Sequence, residues 1–295
     1  MKRKTWFWAL TPVALALSLY GCGNGSDSDL AVDNNAQSCS VVSGTGSAVV
    51  VGSGLPGDPA APEAASGYRL GYKAKQSSNY MVVANTPLAT KAGCDVLKAG
   101  GTAVDAAVAV QAVLGLVEPQ SSTIAGSAFM MYYDAANKKV VAYDGRETAP
   151  AAATGYYLAR QDQSNASSPA PVPSARRSGR SIGVPGVMRM LDMAHKEHGK
   201  LAWAPLFDEG IRLASSGYKI PGRMGDAIRT NAANLQLDAN AVAAYFNADG
   251  TPKTTGTVTT NLPYAQSLRT LATGGADAMY SGPLAEAIVA KAAQS

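Results

Sequence analysis

Residues 101–120 read GTAVDAAVAVQAVLGLVEPQ, and this stretch predicts the central helix of the fold. Thr102 and Asp105 have the spacing of a capping box, in which each side chain accepts a hydrogen bond from the other residue's backbone N–H. A helix is therefore predicted to begin here and to run to about Val117. Because its interior is apolar almost all round, the helix is expected to lie between layers of structure and not on the surface.

The segment before this helix predicts a strand followed by another helix. Residues 80–85 are mainly apolar and are predicted to form a short buried strand. Thr86 and Pro87 then supply an N-cap and a proline at the first helical position, which is typical of a helix start. Gly100 and Gly101 are expected to end this helix.

A hairpin is predicted after the central helix. Residues 129–133 and 140–143 are strand-like runs joined by a short polar turn. The second run leads directly into Asp144-Gly145-Arg146-Glu147, so these four residues are expected at the end of a strand. Beyond a polar loop at 161–180, apolar residues return with helical spacing in four groups. These groups begin at Val187, Trp203, Tyr264 and Leu284.

The N-terminus has the parts of an export signal. Basic residues at positions 2–4 precede an apolar run at 6–20, which is too short to be a membrane-spanning helix. Leu19-Tyr20-Gly21-Cys22 resembles a bacterial lipobox, in which cleavage before the cysteine leaves a thiol that carries lipid. Residues 1–21 are therefore predicted to be a lipoprotein signal peptide and Cys22 the lipidated N-terminus. Ordinary cleaved secretion is the alternative.

Residues 22–67 are predicted to be a disordered tether, because this small and polar segment cannot bury enough apolar surface to offset its ordering entropy. Removal of residues 1–21 takes away three positive charges and no acid, which lowers the formal charge from +4 to +1. A near-neutral mature protein offers no electrostatic case for binding nucleic acid. The expected location is the periplasm or the cell surface, with membrane attachment only through the lipid.

Residues 68–295 are long enough for one sizeable core or two small ones. The sequence has three cysteines, and the last, Cys94, falls inside a predicted helix. An exported protein permits a bridge between Cys39 and Cys94, but the helical position favours Cys94 as a small buried apolar residue. No disulfide framework and no cysteine-based metal site are predicted.

Four polar side chains have groups that could bind a metal or act in catalysis. His195 and His198, the only histidines, are three residues apart on a predicted helix and could reach one metal. Their positions beyond the apolar stripe and in the last turn favour solvated helix residues, so no metal site is predicted. Helix capping and loop anchoring are simpler roles for Asp105 and Glu118 than catalysis.

Several ordered motifs closely resemble the gamma-glutamyltransferase family, which belongs to the N-terminal-nucleophile hydrolases. The resemblance covers residues 81–293, nearly all of the predicted folded part. Its motifs are the runs 101–109, Val117-Glu118-Pro119-Gln120, 144–150, Gly183-Val184-Pro185-Gly186, 203–217 and 275–282. Several motifs in one order are far more specific than any one of them.

The resemblance implies an α+β fold, the four-layer αββα sandwich, of which this chain is the incomplete large-subunit part. In that family the precursor cleaves itself, and a threonine at the start of the small subunit attacks a gamma-glutamyl amide, with its own amino group as base. The late threonines here lack the family's Thr-Thr-His start, so no catalytic residue is assigned. The chain is expected to end before the nucleophilic threonine and to pair with a small subunit from the same precursor.

Arg146 is the one residue to which the resemblance gives a role, because the family's arginine in this motif binds the alpha-carboxylate of the gamma-glutamyl group. A guanidinium offers a planar fork that suits a carboxylate. The alternative is an ordinary salt bridge to Asp144 or Glu147. The implied substrate is glutathione or another gamma-glutamyl compound, cleaved with transfer of the glutamyl group to water or an amino acid, and no cofactor is implied.

The chain departs from the family at 122–129, where many members have a glycine-rich run and this chain reads STIAGSAF. Extra side chains there could change how closely the backbone approaches the site. Two other functions stay open at this point. One is a beta-lactam side-chain acylase of the same superfamily, and the other is a non-catalytic lipoprotein that binds an amino-acid-like ligand, or a truncated product.

Overall fold

The computed structural model describes Cys39, residues 77–172 and residues 174–294. The predicted signal peptide, Cys22 and the tether apart from Cys39 lie outside the described residues.

Two helices that pack on each other, α1 (Pro87–Lys98) and α2 (Ala103–Val117), form the centre of the fold. The Thr86 side chain caps α1 by accepting from the N–H of Ala89. At α2 the capping box is present: the Thr102 N–H donates to Asp105 Oδ2 over 2.7 Å, and the Asp105 N–H donates to Thr102 Oγ1 over 3.3 Å. The predicted starts of both helices are confirmed.

The strand predicted at 80–85 is wrong. Residues 80–84 are not in a strand, and the N–H of Ala84 donates to Thr90 Oγ1 of α1 over 3.2 Å in place of a ladder bond. The apolar alternation is still used, because Val82 packs against Gly93 of α1 while Val83 is 85% exposed. An extended segment becomes a strand only when a neighbouring strand supplies its hydrogen bonds.

The predicted hairpin is confirmed as β1 (Ala128–Asp134) and β2 (Lys139–Gly145), an antiparallel pair in which Ala128 lies opposite Gly145. One face packs on the core. On that face the Tyr143 hydroxyl donates to Glu197 Oε2 over 2.6 Å, and burial together with this bond raises the pKa of Tyr143 to about 12. The other face is apolar and exposed, by 61–69% at Phe129, Met131, Tyr133 and Val140.

The remaining helices of the described residues surround this centre, and none of the helices there is long and apolar enough to cross a membrane. They are α3 (Val187–His198), α4 (Asp208–Ser216), α5 (Gly222–Thr230), α6 (Ala232–Leu235), α7 (Ala239–Tyr245), α8 (Leu262–Gly274) and α9 (Pro283–Ala293). Short 3-10 turns lie at Ala175–Arg177, Gly179–Ser181, Ala204–Phe207 and Ala276–Met279. A small ribbon pairs β3 (Tyr218–Lys219) with β4 (Val258–Thr259).

The position of α2 between two apolar clusters is confirmed. Val108 and Ala112 belong to a cluster with α3, α8 and the hairpin, whereas Val113 and Val117 belong to a second cluster with α1, α4 and α5. Helix α8 is bonded to α2 beside Gly115, because the Tyr264 hydroxyl of α8 donates to the Ala112 carbonyl of α2 over 2.9 Å. A Cβ at Gly115 would lie 2.3 Å from that hydroxyl. The result is a mixed helix and strand domain.

A disulfide joins Cys39 to Cys94 of α1, with their Cα atoms 5.5 Å apart. The interpretation of Cys94 as an unpaired buried apolar residue is therefore wrong. Cys39 is buried and Cys94 is half-buried. Cys94 therefore lies on a face of α1 that is not fully enclosed by the core. One residue of the segment predicted as a tether is thus fastened to the folded domain.

The histidines are packed side chains, so their predicted solvated state is wrong. The His195 ring is 5.2 Å from the Trp203 ring, and its Nε2 lies 3.0 Å from the Leu201 carbonyl. His198 stacks on Tyr132 with ring centroids 4.0 Å apart. In the described part of the chain no group of three His, Cys, Asp or Glu residues could hold a metal ion.

Candidate functional site

Three segments that are distant in sequence meet where β2 ends and α3 begins. The Gly126 carbonyl accepts from the N–H of Gly186 over 2.9 Å and of Val187 over 3.1 Å. Thr148 and Val184 form an antiparallel bridge, in which the Val184 N–H donates to the Thr148 carbonyl over 2.9 Å. The loop before β1, the motif at 144–150 and the motif at 183–186 are therefore one continuous surface.

Two glycines allow this close approach. A Cβ at Gly186 would lie 2.3 Å from the Gly145 carbonyl oxygen and 2.8 Å from that of Arg146. A Cβ at Gly183 would lie 2.7 Å from Cγ of Glu147. Neither glycine has a positive φ, so the lack of a side chain is what each position requires.

The motif at 275–282 contacts this surface through Tyr280. The Tyr280 hydroxyl donates to the Pro185 carbonyl over 2.6 Å, and Arg189 of α3 lies over the Tyr280 ring at 4.8 Å. Arg189 also pairs with Asp277, which lowers the pKa of that carboxyl. The motifs at 144–150, 183–186 and 275–282 are therefore linked by contacts into one part of the structure, where the Arg146 side chain is exposed.

The structure places Arg146 directly after β2, at the strand end that the sequence predicts. Its backbone N–H donates to Asp144 Oδ1 over 2.9 Å, which fixes the turn. Its NH1 donates to Ser127 Oγ over 3.3 Å, and its NH2 lies 3.1 Å from Glu147 Oε1. The salt bridge offered as the alternative role is thus present with Glu147, whereas the Asp144 carboxylate bonds the Arg146 backbone.

The Arg146 side chain is nevertheless 57% exposed. A guanidinium carries five N–H donors, and one contact each to Ser127 and Glu147 leaves others for a ligand carboxylate. The hydroxyl of Ser127, a backbone hydrogen bond from Glu147 itself and, to a smaller extent, the Arg146 charge lower the pKa of Glu147, so that carboxyl is ionised near neutral pH. The site therefore presents a fixed, solvent-facing guanidinium whose charge is partly offset by Glu147.

The capping and anchoring contacts predicted for Asp105 and Glu118 are present. Besides its cap, Asp105 Oδ2 accepts from the N–H of Lys200 over 3.0 Å and thereby binds the loop after α3. Glu118 Oε2 accepts from Gln120 Nε2 over 2.8 Å and from Ser121 Oγ over 3.0 Å, which closes the turn after α2.

Ser127 is the functional-site residue that sequence reasoning missed. It entered only as part of a departure from a glycine-rich run. The hairpin explains the contact, because Ala128 lies opposite Gly145 and Ser127 and Arg146 are the residues that adjoin this last pair in the sequence. Of the threonines late in the chain, Thr259 is in β4 and accepts from Lys253 Nζ over 2.8 Å.

Comparison with known proteins is consistent with these motifs. The family model described as gamma-glutamyltranspeptidase matches residues 89–295. A glutathione hydrolase proenzyme of Bacillus subtilis is 34% identical over 211 residues, which cover 70% of this chain and 34% of that protein. The chain spans about a third of the length of the curated relatives it matches.

Two solved structures resemble the fold. The gamma-glutamyltranspeptidase of Helicobacter pylori aligns with a TM-score of 0.67 and 28% identity, over 73% of this chain and 60% of that one. The cephalosporin acylase of Bacillus halodurans aligns with a TM-score of 0.57 and 24% identity, over 77% of this chain and 42% of that one. At that identity the second likeness concerns the fold alone.

Proposed function

The chain belongs to the gamma-glutamyltranspeptidase family, and we propose that it supplies the carboxylate-binding part of an enzyme that cleaves gamma-glutamyl amides. The observation that carries this proposal is the exposed Arg146 guanidinium, fixed at the end of β2 by three separate contacts. A planar fork held in this way suits the alpha-carboxylate of a gamma-glutamyl group. The substrate would be glutathione or another gamma-glutamyl compound.

The nucleophile would come from the small-subunit segment of the same precursor. There the hydroxyl of an N-terminal threonine attacks the amide carbonyl, its proton passes to the threonine's own amino group, and the amine leaves with that proton. The acyl-enzyme ester is then opened by water or by the amino group of an amino acid. The word proenzyme in the name of the Bacillus subtilis relative supports a processed precursor. In this scheme the present chain binds and orients the glutamyl group.

The exposed face of the hairpin supports a four-layer sandwich that the small subunit completes. Phe129, Met131 and Tyr133 of β1 and Val140 of β2 form a contiguous apolar surface. Such a surface is unfavourable in water and marks a place where another layer packs. A second sheet on this face would cover these side chains and would bring the nucleophile to the strand end that carries Arg146.

The proposal is tested first with the 295-residue chain alone, which we expect to release no chromogenic amine from a gamma-glutamyl anilide because no N-terminal nucleophile is assigned in it. Co-expression with a small-subunit segment of the family should produce release. Amine release by the chain alone would contradict the assignment of the nucleophile. A folded two-subunit complex without any release would contradict the proposed reaction.

Two other functions are less well supported. The likeness to the cephalosporin acylase concerns the fold alone and gives no contact to a beta-lactam side chain. A non-catalytic binding lipoprotein would not need the motifs that this chain shares with an enzyme family. Gamma-glutamyl transfer is therefore the function we propose.

We also propose that the protein is exported and held on the membrane by lipid at Cys22. The basic and apolar start of the chain supports export, and the Cys39–Cys94 bridge suits an oxidising compartment. Replacement of Cys22 by serine should move the protein from the membrane fraction to the soluble fraction, because stable anchoring needs the acyl chains. A Cys22→Ser protein that stayed with the membrane would overturn this proposal, and Cys39→Ser serves as the control that keeps the anchor.

A further inference from the structure

We propose that Ser127 is a positioning residue for Arg146 and sets how tightly this protein binds a gamma-glutamyl carboxylate. This inference rests on the proposed function, since Arg146 is the group through which Ser127 would act. Ser127 itself is not expected to take part in the covalent steps.

Two polar side chains contact the guanidinium. Ser127 Oγ accepts from Arg146 NH1 over 3.3 Å, and Glu147 Oε1 lies 3.1 Å from Arg146 NH2. The two terminal nitrogens of the fork are therefore held by different partners, which restricts rotation of the guanidinium.

The backbone around Ser127 is fixed as well. The preceding residue, Gly126, accepts two backbone hydrogen bonds from the start of α3, and the following residue, Ala128, opens β1 opposite Gly145. The turn of Arg146 is held by Asp144. Because both sides of the Ser127–Arg146 contact are anchored, the hydroxyl is a defined feature of the site and not a mobile surface group.

The position does not require a glycine. Among the described residues other than glycine, only Cys39 and Lys138 have a positive φ, so Ser127 adopts a backbone conformation open to any residue. A glycine here, in keeping with the glycine-rich run common in the family, would leave NH1 of Arg146 without this acceptor. The Ser127 hydroxyl therefore affects the Arg146 side chain, and the backbone conformation does not depend on it.

The expected consequence concerns binding more than chemistry. An unrestrained arginine must give up side-chain freedom when it binds a carboxylate, and fixing it beforehand removes part of that cost. Such an effect acts equally on the bound substrate and on the transition state. It should therefore appear in KM and leave kcat nearly unchanged.

The first experiment measures the Arg146 side chain directly in the full chain. Phenylglyoxal modifies accessible arginines, and the rate at Arg146 can be followed by mass spectrometry of its peptide. Ser127→Ala should speed this modification roughly threefold to tenfold, the range expected for loss of one modest hydrogen bond. Ser127→Thr, which keeps the hydroxyl, should react like the parent, and Arg229, which is 71% exposed beside Asp226, is the internal control.

Each outcome of this labelling experiment decides the inference. Faster modification at Arg146 in the alanine variant alone supports it. Equal rates in all three proteins overturn it, because the hydroxyl would then not restrain the guanidinium. Faster modification in both variants also overturns it, because side-chain shape and not the hydroxyl would be responsible.

The second experiment uses the complete two-subunit enzyme and a gamma-glutamyl anilide. Ser127→Ala should raise KM roughly threefold to tenfold with kcat within about twofold, and Ser127→Thr should restore KM. Ser167→Ala, in an exposed loop, is the matched control. An unchanged KM, or a loss confined to kcat, in an enzyme that still depends on Arg146 would overturn the role of Ser127 alone. Kinetics insensitive to both residues would overturn the proposed function.

Discussion

Replacement of Arg146 by lysine is expected to lower kcat/KM for a gamma-glutamyl substrate roughly ten- to hundredfold in the complete enzyme, the cost of losing one charge-assisted hydrogen bond of about 1.5–3 kcal/mol. Lysine keeps the positive charge but cannot place two parallel N–H donors on one carboxylate. It also cannot contact Ser127 and Glu147 with separate nitrogens as the guanidinium does. Self-cleavage into two subunits should continue, because the nucleophile is untouched.

The structural alternative for Arg146 makes the opposite forecast. If the pair with Glu147 were mainly structural, Arg146→Lys would lower the melting temperature while the folded enzyme kept its kcat/KM. That pair lies at the surface, with Arg146 57% exposed, so it should contribute no more than about 1 kcal/mol to stability. Melting temperature and kcat/KM measured on one preparation separate the two roles, with Arg229→Lys as the control. A stable variant with unchanged kinetics would remove Arg146 from the site.

The helices could be predicted from sequence because their signals are local. Thr86 at α1, and Thr102 with Asp105 at α2, hydrogen-bond within the first turns of these helices, and Pro87 has the backbone conformation of a first helical residue. The structure has both helices where these residues place them. The strand at 80–85 could not be predicted in the same way. Its ladder bonds must come from another part of the chain, and local apolar alternation does not say whether that part is present.

The candidate site was predictable at Arg146 and not at the residues that hold it. Arg146 could be singled out because it lies in a motif at a strand end. Ser127 is 19 residues away, and its contact depends on the hairpin register. The Cys39–Cys94 bridge and the stacking of His198 on Tyr132 likewise join segments that are far apart in sequence. The spacing of apolar residues along the chain does not show that such segments lie close together. Pairings between segments remote in sequence are what the three-dimensional structure adds.

Replacement of Asp105 by alanine is expected to lower the free energy of unfolding by about 3–5 kcal/mol, because several backbone N–H groups would each lose an acceptor, at about 1–3 kcal/mol per buried group. Asp105 is 0% exposed, and its carboxylate accepts from the backbone N–H groups of Thr102, Lys200 and Leu201 over 2.7, 3.0 and 3.3 Å. Alanine would leave these donors without their acceptor and would also remove half of the capping box of α2. Urea denaturation of the variant and the parent measures the difference.

Two further variants separate this structural role from a catalytic one. Asp105→Asn keeps the volume and one acceptor oxygen, so its loss of stability should be smaller than that of alanine, because only part of the network is broken. Asp95→Ala, which breaks a surface pair with Lys91, should change stability by less than about 0.5 kcal/mol. If Asp105 were a catalytic carboxylate, Asp105→Asn would abolish turnover in a protein as stable as the parent. The buried contacts predict the reverse, a destabilised protein whose folded fraction keeps its kcat/KM. The reason is that these contacts join Asp105 to the start of α2 and to the loop after α3, and not to Arg146.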